Sequence, residues 1–276
     1  MPGLCGFPAS RAERAQLAMV LEVLASPKPG NVDRCHDYAE TRLEHFIVSS
    51  LAARSPLEAA EARSAGLGSL IEQAVRATSC HSGGNTHFGA FLLLIPLVYG
   101  GGVEEARRAV EETTVEDAVA FFRAFALTRV RVNETDELDV NDPGSADLLR
   151  RRGMTLLDVM AHSSGRDMVA REWTNGFVLC SRGARMLLED PEPRTAVRRL
   201  FLSLLADEID TFIVKKHGPA LAEETRARAR AVLEGRQPVG ALDDWCIAQH
   251  VNPGSLADIT IGAIYLALEE GWRWDS

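Results

Sequence analysis

Three stretches of the chain gather the residue types that handle phosphates, cations and protons. The first runs Ser26-Pro27-Lys28-Pro29-Gly30-Asn31-Val32-Asp33-Arg34-Cys35-His36-Asp37. Two prolines and a glycine stiffen it, holding Lys28, Asp33, Arg34, His36 and Asp37 within a short arc. A Lys suits phosphate oxygens, and the carboxylates suit a divalent cation or a proton in transfer. The second stretch is His81-Ser82-Gly83-Gly84-Asn85-Thr86-His87-Phe88-Gly89. Gly83 and Gly84 permit close backbone approach, and Asn85 or Thr86 is placed to cap the helix that follows. The free amides of such a helix start attract anions, and His87 in its first turn is a proton donor or ligand contact. The third stretch, Asp207-Glu208-Ile209-Asp210-Thr211-Phe212-Ile213-Val214-Lys215-Lys216-His217-Gly218, sets two carboxylates three residues apart. On one continuous helix Asp207 and Asp210 would share a face and could hold Mg²⁺ against a substrate phosphate.

Each stretch has an ordinary alternative: a connector with ion pairs, a Gly-Gly before a helix, or cations at a helix C-terminus. Lysine usage argues against it. Of 30 basic residues only Lys28, Lys215 and Lys216 are Lys, and all three fall within these stretches. A chain that otherwise uses Arg is expected to keep Lys where a compact ammonium is required.

The elements that must position these residues read as helices. Ser10 and Glu13 form a capping box ahead of an apolar stripe at Leu17, Val20, Leu21 and Leu24, and Pro27 and Pro29 end that helix. Helical patterns follow near 43–53, 56–63, 66–79, 86–99, 103–112, 114–130, 155–162, 166–189, 194–214, 218–234, 239–250 and 255–271. Sustained alternation and Asn-Gly or Asp-Gly hairpin turns are missing, so the expected class is all-α. No linker rich in Pro, Gly or Ser divides the chain, so residues 1–276 are expected to form a single domain. One short echo, Asn141 to Asp147 against Asn252 to Asp258, reads as a Pro-Gly turn feeding a helix twice.

Composition narrows the partners. The net charge of −9 disfavours nucleic acid and anionic membrane, so any anionic ligand must meet a local positive site. Phe88 to Tyr99 is too short to span a bilayer and contains Pro96, which makes it a core helix. The five cysteines are dispersed and form no C-x-x-C pair, against a disulfide framework or structural zinc. With no signal-peptide pattern, the expected location is cytoplasmic.

Taken in order, Pro27-Lys28-Pro29-Gly30-x-Val32-Asp33, Gly84-Asn85-Thr86-His87-x-Gly89, Asp210-Thr211 with Lys216 and Gly218, and Pro253-Gly254-Ser255-x-Ala257-Asp258 resemble the triphosphoribosyl-dephospho-CoA synthase family. Asn31, Phe88, Phe212 and Cys35-His36-Asp37-Tyr38 depart from its usual pattern, as in a divergent branch. The resemblance implies an all-helical transferase. It would move the 5-triphosphoribosyl group of ATP to the 2′-hydroxyl of 3′-dephospho-CoA and release adenine. It also implies Lys28, Gly84, Asn85, Thr86, Lys216 and Asp258 as substrate-binding residues. Asp33, His36, Asp37 and His87 are then the catalytic candidates, and Asp207 and Asp210 the Mg²⁺ candidates. Cleavage of an N-glycosidic bond passes through an oxocarbenium-like state, which carboxylates stabilise, while His87 or His36 assists the departing adenine. Asp33 or Asp37 would accept the proton of the attacking hydroxyl. A different acceptor, a nucleotide phosphohydrolase or a nucleotide-binding regulator are the alternatives, and self-association is left open.

Overall fold

A computed structural model describes residues 8–84, 86–128 and 144–275. Its regular structure there is helical throughout, with no strand among the described residues. The helices are α1 (Arg11–Leu24), α2 (Leu43–Ala52), α3 (Arg54–Glu61), α4 (Leu67–Thr78), α5 (Phe88–Gly100), α6 (Val103–Glu111), α7 (Val115–Ala126) and α8 (Ser145–Arg152). They continue as α9 (Leu156–Ser163), α10 (Met168–Asn175), α11 (Val178–Glu189), α12 (Pro193–Asp207), α13 (Thr211–His217), α14 (Pro219–Leu233), α15 (Val239–Ala248) and α16 (Gly254–Glu269). The all-α expectation holds. The capping box at Ser10 and Glu13 is present as expected.

Two helices form the centre because they are apolar on every side. From Ala90 to Val98 every residue of α5 is buried, and so is every residue of α16 from Ser255 to Leu268 except Asp258. They pack on each other and are wrapped by α1, α3, α4, α10, α11 and α12. The α11–α16 contact depends on small residues. A Cβ on Gly262 would lie 2.6 Å from Cys180 Sγ, and one on Gly183 would lie 2.6 Å from the Ala263 Cβ. Pro96 inside α5 has no N–H for the Leu92 carbonyl one turn back, and Trp173 Nε1 donates to that oxygen at 2.7 Å instead. A core tryptophan thereby repairs the gap left by a core proline.

Two expected helices are each broken in two, and the breaks matter. The 166–189 pattern stops at Gly176, where φ is +81°, and restarts as α11 after Phe177, also left-handed. The buried Glu172 carboxylate receives the Leu179 and Cys180 amides at that restart. The 194–214 pattern stops at Asp207 and restarts at Thr211 because Asp210 caps α13, accepting from the Phe212 and Ile213 amides. Asp207 and Asp210 are therefore not on one helical face. Helix α8 begins where the first copy of the Pro-Gly echo is expected to feed a helix; residues 141–143 of that echo lie outside the described residues, as does Asn85. No single described helix is long and apolar enough to cross a membrane.

Candidate active site

The end of α1 supplies the first part. Ala12, Ala15, Ala18, Met19, Glu22 and Val23 form its buried stripe, so Glu22 enters the core on the apolar face. The loop after α1 then turns Lys28 inward. Its side chain is fully buried, and Nζ donates to Glu22 Oε1 at 2.5 Å and lies 5.8 Å from the Phe201 ring centroid. Asp33 organises the loop: one oxygen accepts from the Lys28 amide, the other from the Cys35 and His36 amides. Gly30 is obligatory, with φ of +72° and no room for a Cβ, which would lie 2.2 Å from the Val251 carbonyl. Asn31 then bonds Asn252, tying the loop to the entry of α16.

The start of α5 meets this loop from the other side. Neither Thr86 nor the N-cap His87 caps the helix by side chain. Instead the Asp258 carboxylate from α16 lies against this helix start, beside Gly89 and near the Ala90 amide. A Cβ on Gly89 would lie 2.0 Å from Asp258 Oδ2, which explains the glycine in the His87-x-Gly89 motif. A carboxylate of the chain itself therefore sits beside the helix start expected to attract a substrate anion. Burial, then repulsion from Glu22, Asp210 and Asp167, pushes the Asp258 carboxyl well above the usual carboxylate range. Burial likewise raises Glu22, against the opposing attraction of Lys28.

Asp210 reaches the same centre from the break between α12 and α13. Besides capping α13 it accepts from the Leu256 amide at 2.8 Å, joining the starts of α13 and α16. Burial raises it to about 6 despite these three bonds. His87 completes the set. Its Nδ1 lies 2.8 Å from Ser49 Oγ and 3.4 Å from Thr86 Oγ1, while its buried Nε2 has no hydrogen-bond partner. Burial, with the Lys28 charge adding to it, lowers His87 to about 3, so the ring is neutral at pH 7.

Lys28, Asp33, His87, Asp210 and Asp258 therefore meet around one polar centre, with Thr86 at its margin. Other candidates are elsewhere. Asp207 is a surface residue paired with Arg182. Asp37 is exposed and accepts from the Leu43 amide at the start of α2. His36 is partly buried, edge-on to Tyr38, with Nε2 unpartnered. Lys216 is exposed, 4.3 Å from the Phe212 ring centroid, and Gly84 is an exposed turn glycine with φ of +68°. The Mg²⁺ expectation fails its geometric test at Asp207 and Asp210. One is held by an arginine and the other by three amides, and no cluster of three metal-binding side chains occurs among the described residues. The motifs missed Glu22 and Ser49. A charged residue on the buried stripe of α1 was the available signal for Glu22; Ser49 on α2 had none.

Known proteins give this arrangement a context. A family model described as CitG, ATP:dephospho-CoA triphosphoribosyl transferase, matches residues 8–276. A protein of Pectobacterium carotovorum subsp. carotovorum (strain PC1), named for 2-(5''-triphosphoribosyl)-3'-dephosphocoenzyme-A synthase, is 26% identical over 273 residues, covering 90% of this chain and 85% of the relative. A crystal structure from Archaeoglobus fulgidus, named for triphosphoribosyl-dephospho-coA synthase, superposes with a TM-score of 0.71 at 27% identity, covering 83% of this chain and all of that one. With four ordered motifs meeting at one buried centre and the match running from residue 8 to the end, the chain belongs to the ATP:dephospho-CoA triphosphoribosyl transferase family and is a transferase.

Proposed function

We propose that the protein transfers the 5-triphosphoribosyl group of ATP to the ribose 2′-hydroxyl of 3′-dephospho-CoA, releasing adenine. The observation that carries this reading is the cluster of buried Lys28, Glu22, Asp33 and Asp210 with half-buried Asp258 beneath the start of α5. One ammonium among four carboxylates is costly in an interior, and apolar replacements of similar volume would often be more stable. Such a cluster suits a reaction that builds positive charge on a ribose ring, because the carboxylates stabilise an oxocarbenium-like state.

In this reaction the C1′–N9 bond of ATP breaks with its electron pair going to adenine. The acceptor oxygen bonds C1′, and its proton passes through a carboxylate of the cluster and ends on the released base. Asp258 and Glu22 are better suited to that relay than Asp33, whose oxygens are both held by loop amides. Lys28 serves the cluster by holding Glu22. Lys216, exposed in the last turn of α13, is a cation open to the triphosphate. Mg²⁺ enters this reading as a companion of the nucleotide, since Asp207 and Asp210 do not fit as its ligands.

Incubation with ATP, Mg²⁺ and 3′-dephospho-CoA followed by mass spectrometry tests the proposal. Free adenine and a triphosphoribosyl adduct in equal amounts are expected. ADP or AMP without adenine would mean phosphohydrolysis, and bound but unchanged ATP would mean a regulator.

A further inference from the structure

His87 is held in an unusual way for a buried histidine. It is 1% exposed, and the start of α5 leaves its ring between α2 and the loop after α1. Two hydroxyls, Ser49 Oγ and Thr86 Oγ1, approach the same ring nitrogen, Nδ1. The Ser49 hydroxyl has no other hydrogen-bond acceptor among the described residues, and the side chain is fully buried. A hydroxyl that must donate, and has only Nδ1 to donate to, leaves Nδ1 as acceptor. The ring proton is then on Nε2, the nitrogen that is buried without a partner.

We propose that Ser49 is a positioning residue that fixes His87 as a neutral Nε2–H donor to a ring nitrogen of the departing adenine. The inference rests on the triphosphoribosyl-transfer reading and adds to it the state and direction of the histidine. A neutral donor stabilises the electron pair arriving on the purine by a hydrogen bond and surrenders no proton, so the stoichiometry given above is unchanged. The surroundings favour this state. Phe46 stands edge-on to the ring with centroids 5.2 Å apart, and Phe91 lies at 6.2 Å on another side. The charged and titratable neighbours acting on the ring are Lys28 and His81, and both disfavour a second proton there. A donor buried without an acceptor is an incomplete hydrogen bond, worth forming only when a ligand supplies the acceptor.

The test uses the full chain labelled with ¹⁵N-histidine. Long-range ¹H–¹⁵N spectra distinguish the two neutral tautomers and the imidazolium, and His87→Gln assigns the resonance. From pH 5.5 to 8 the wild-type ring is expected as the Nε2–H tautomer without titration. Adenine added alone should move the Nε2 proton resonance downfield. Ser49→Ala should give mixed tautomers and lower kcat about tenfold with KM for ATP little changed, and Ser49→Thr should restore both. A wild-type Nδ1–H ring, an imidazolium in this range, no response to adenine, or an unchanged tautomer in Ser49→Ala overturns the proposal. The wild-type spectrum decides the tautomer even if Ser49→Ala does not fold, and Ser49→Cys then supplies the variant. An Nε2–H ring that responds to adenine in a protein making no triphosphoribosyl adduct would refute the transfer reading and leave the positioning role standing.

Discussion

Lys28 and Glu22 meet in the interior with side chains 0% and 2% exposed, whereas Arg54 and Glu58, one turn apart on α3, are 68% and 51% exposed. Both are single cation–carboxylate pairs, and their consequences differ. At the surface, water and salt screen the pair, and its making or breaking is nearly neutral. In the interior neither charge has water to fall back on, so each holds the other in place. The same contrast separates Asp210, enclosed by three amides, from Asp207, three residues earlier and paired with Arg182 in solvent. Sequence spacing treats these two acids as equivalent; their surroundings do not.

The contrast is sharpest when one partner of the buried pair is removed. Glu22→Ala leaves the Lys28 ammonium unpaired in the core and should cost about 3–5 kcal/mol in denaturant unfolding. Lys28→Met combined with Glu22→Leu should recover much of that loss while abolishing transfer. A stable and active double variant would show that the pair has only a structural role. Lys28→Arg separates the two settings as well. In a solvated loop this change would spare stability, but at a fully enclosed site the larger guanidinium should lower the melting temperature.

Gly89→Ala comes next. Its methyl would fall within the Asp258 carboxylate and push it from the start of α5, an overpacking cost of about 1–3 kcal/mol. Gly84→Ala, in open space but with positive φ, should cost less, and paired thermal melts rank the two.

Acid provides a smaller effect of definite sign. The folded state keeps His87 neutral to about pH 3, while the unfolded chain takes up that proton near 6.5. Between those values the unfolded state binds more protons, so His87 makes the protein lose stability as pH falls from 6.5 towards 3. Asp210 opposes it over part of that window. Its folded-state value of about 6 lies above the ordinary 3.8, so its contribution to stability grows as pH falls from 6 to 3.8. His87→Gln should therefore flatten the acid side of a melting-temperature profile, and a profile identical to wild type would contradict a neutral buried ring.

The smallest effects are expected at the surface. Arg54→Ala should leave the melting temperature unchanged at physiological salt. Asp207→Asn should leave the Mg²⁺ dependence of activity unchanged, and a raised Mg²⁺ requirement would return this residue to the metal site.

Local chemistry made much of the fold legible. The capping box at Ser10, the proline stop after α1 and the all-round apolarity of Phe88 to Tyr99 each act within a few residues, and each is realised. Lysine scarcity singled out Lys28, and the His87-x-Gly89 spacing marked a site where a side chain must be absent. Sequence alone determined the helical class, the place of most helices and the order of motifs that marks the family. It could not show that Asp210 starts a helix rather than continuing one. An Asp three residues after another fits either case, and the Leu256 amide, 46 residues away, helps fix its place. Nor could it show that Asp258 packs against Gly89 at the start of α5, that Glu22 answers Lys28, or that Ser49 faces His87. Those pairings join elements distant in the chain or facing across a turn, and their energies arise only after packing has removed the water that would otherwise satisfy each group alone.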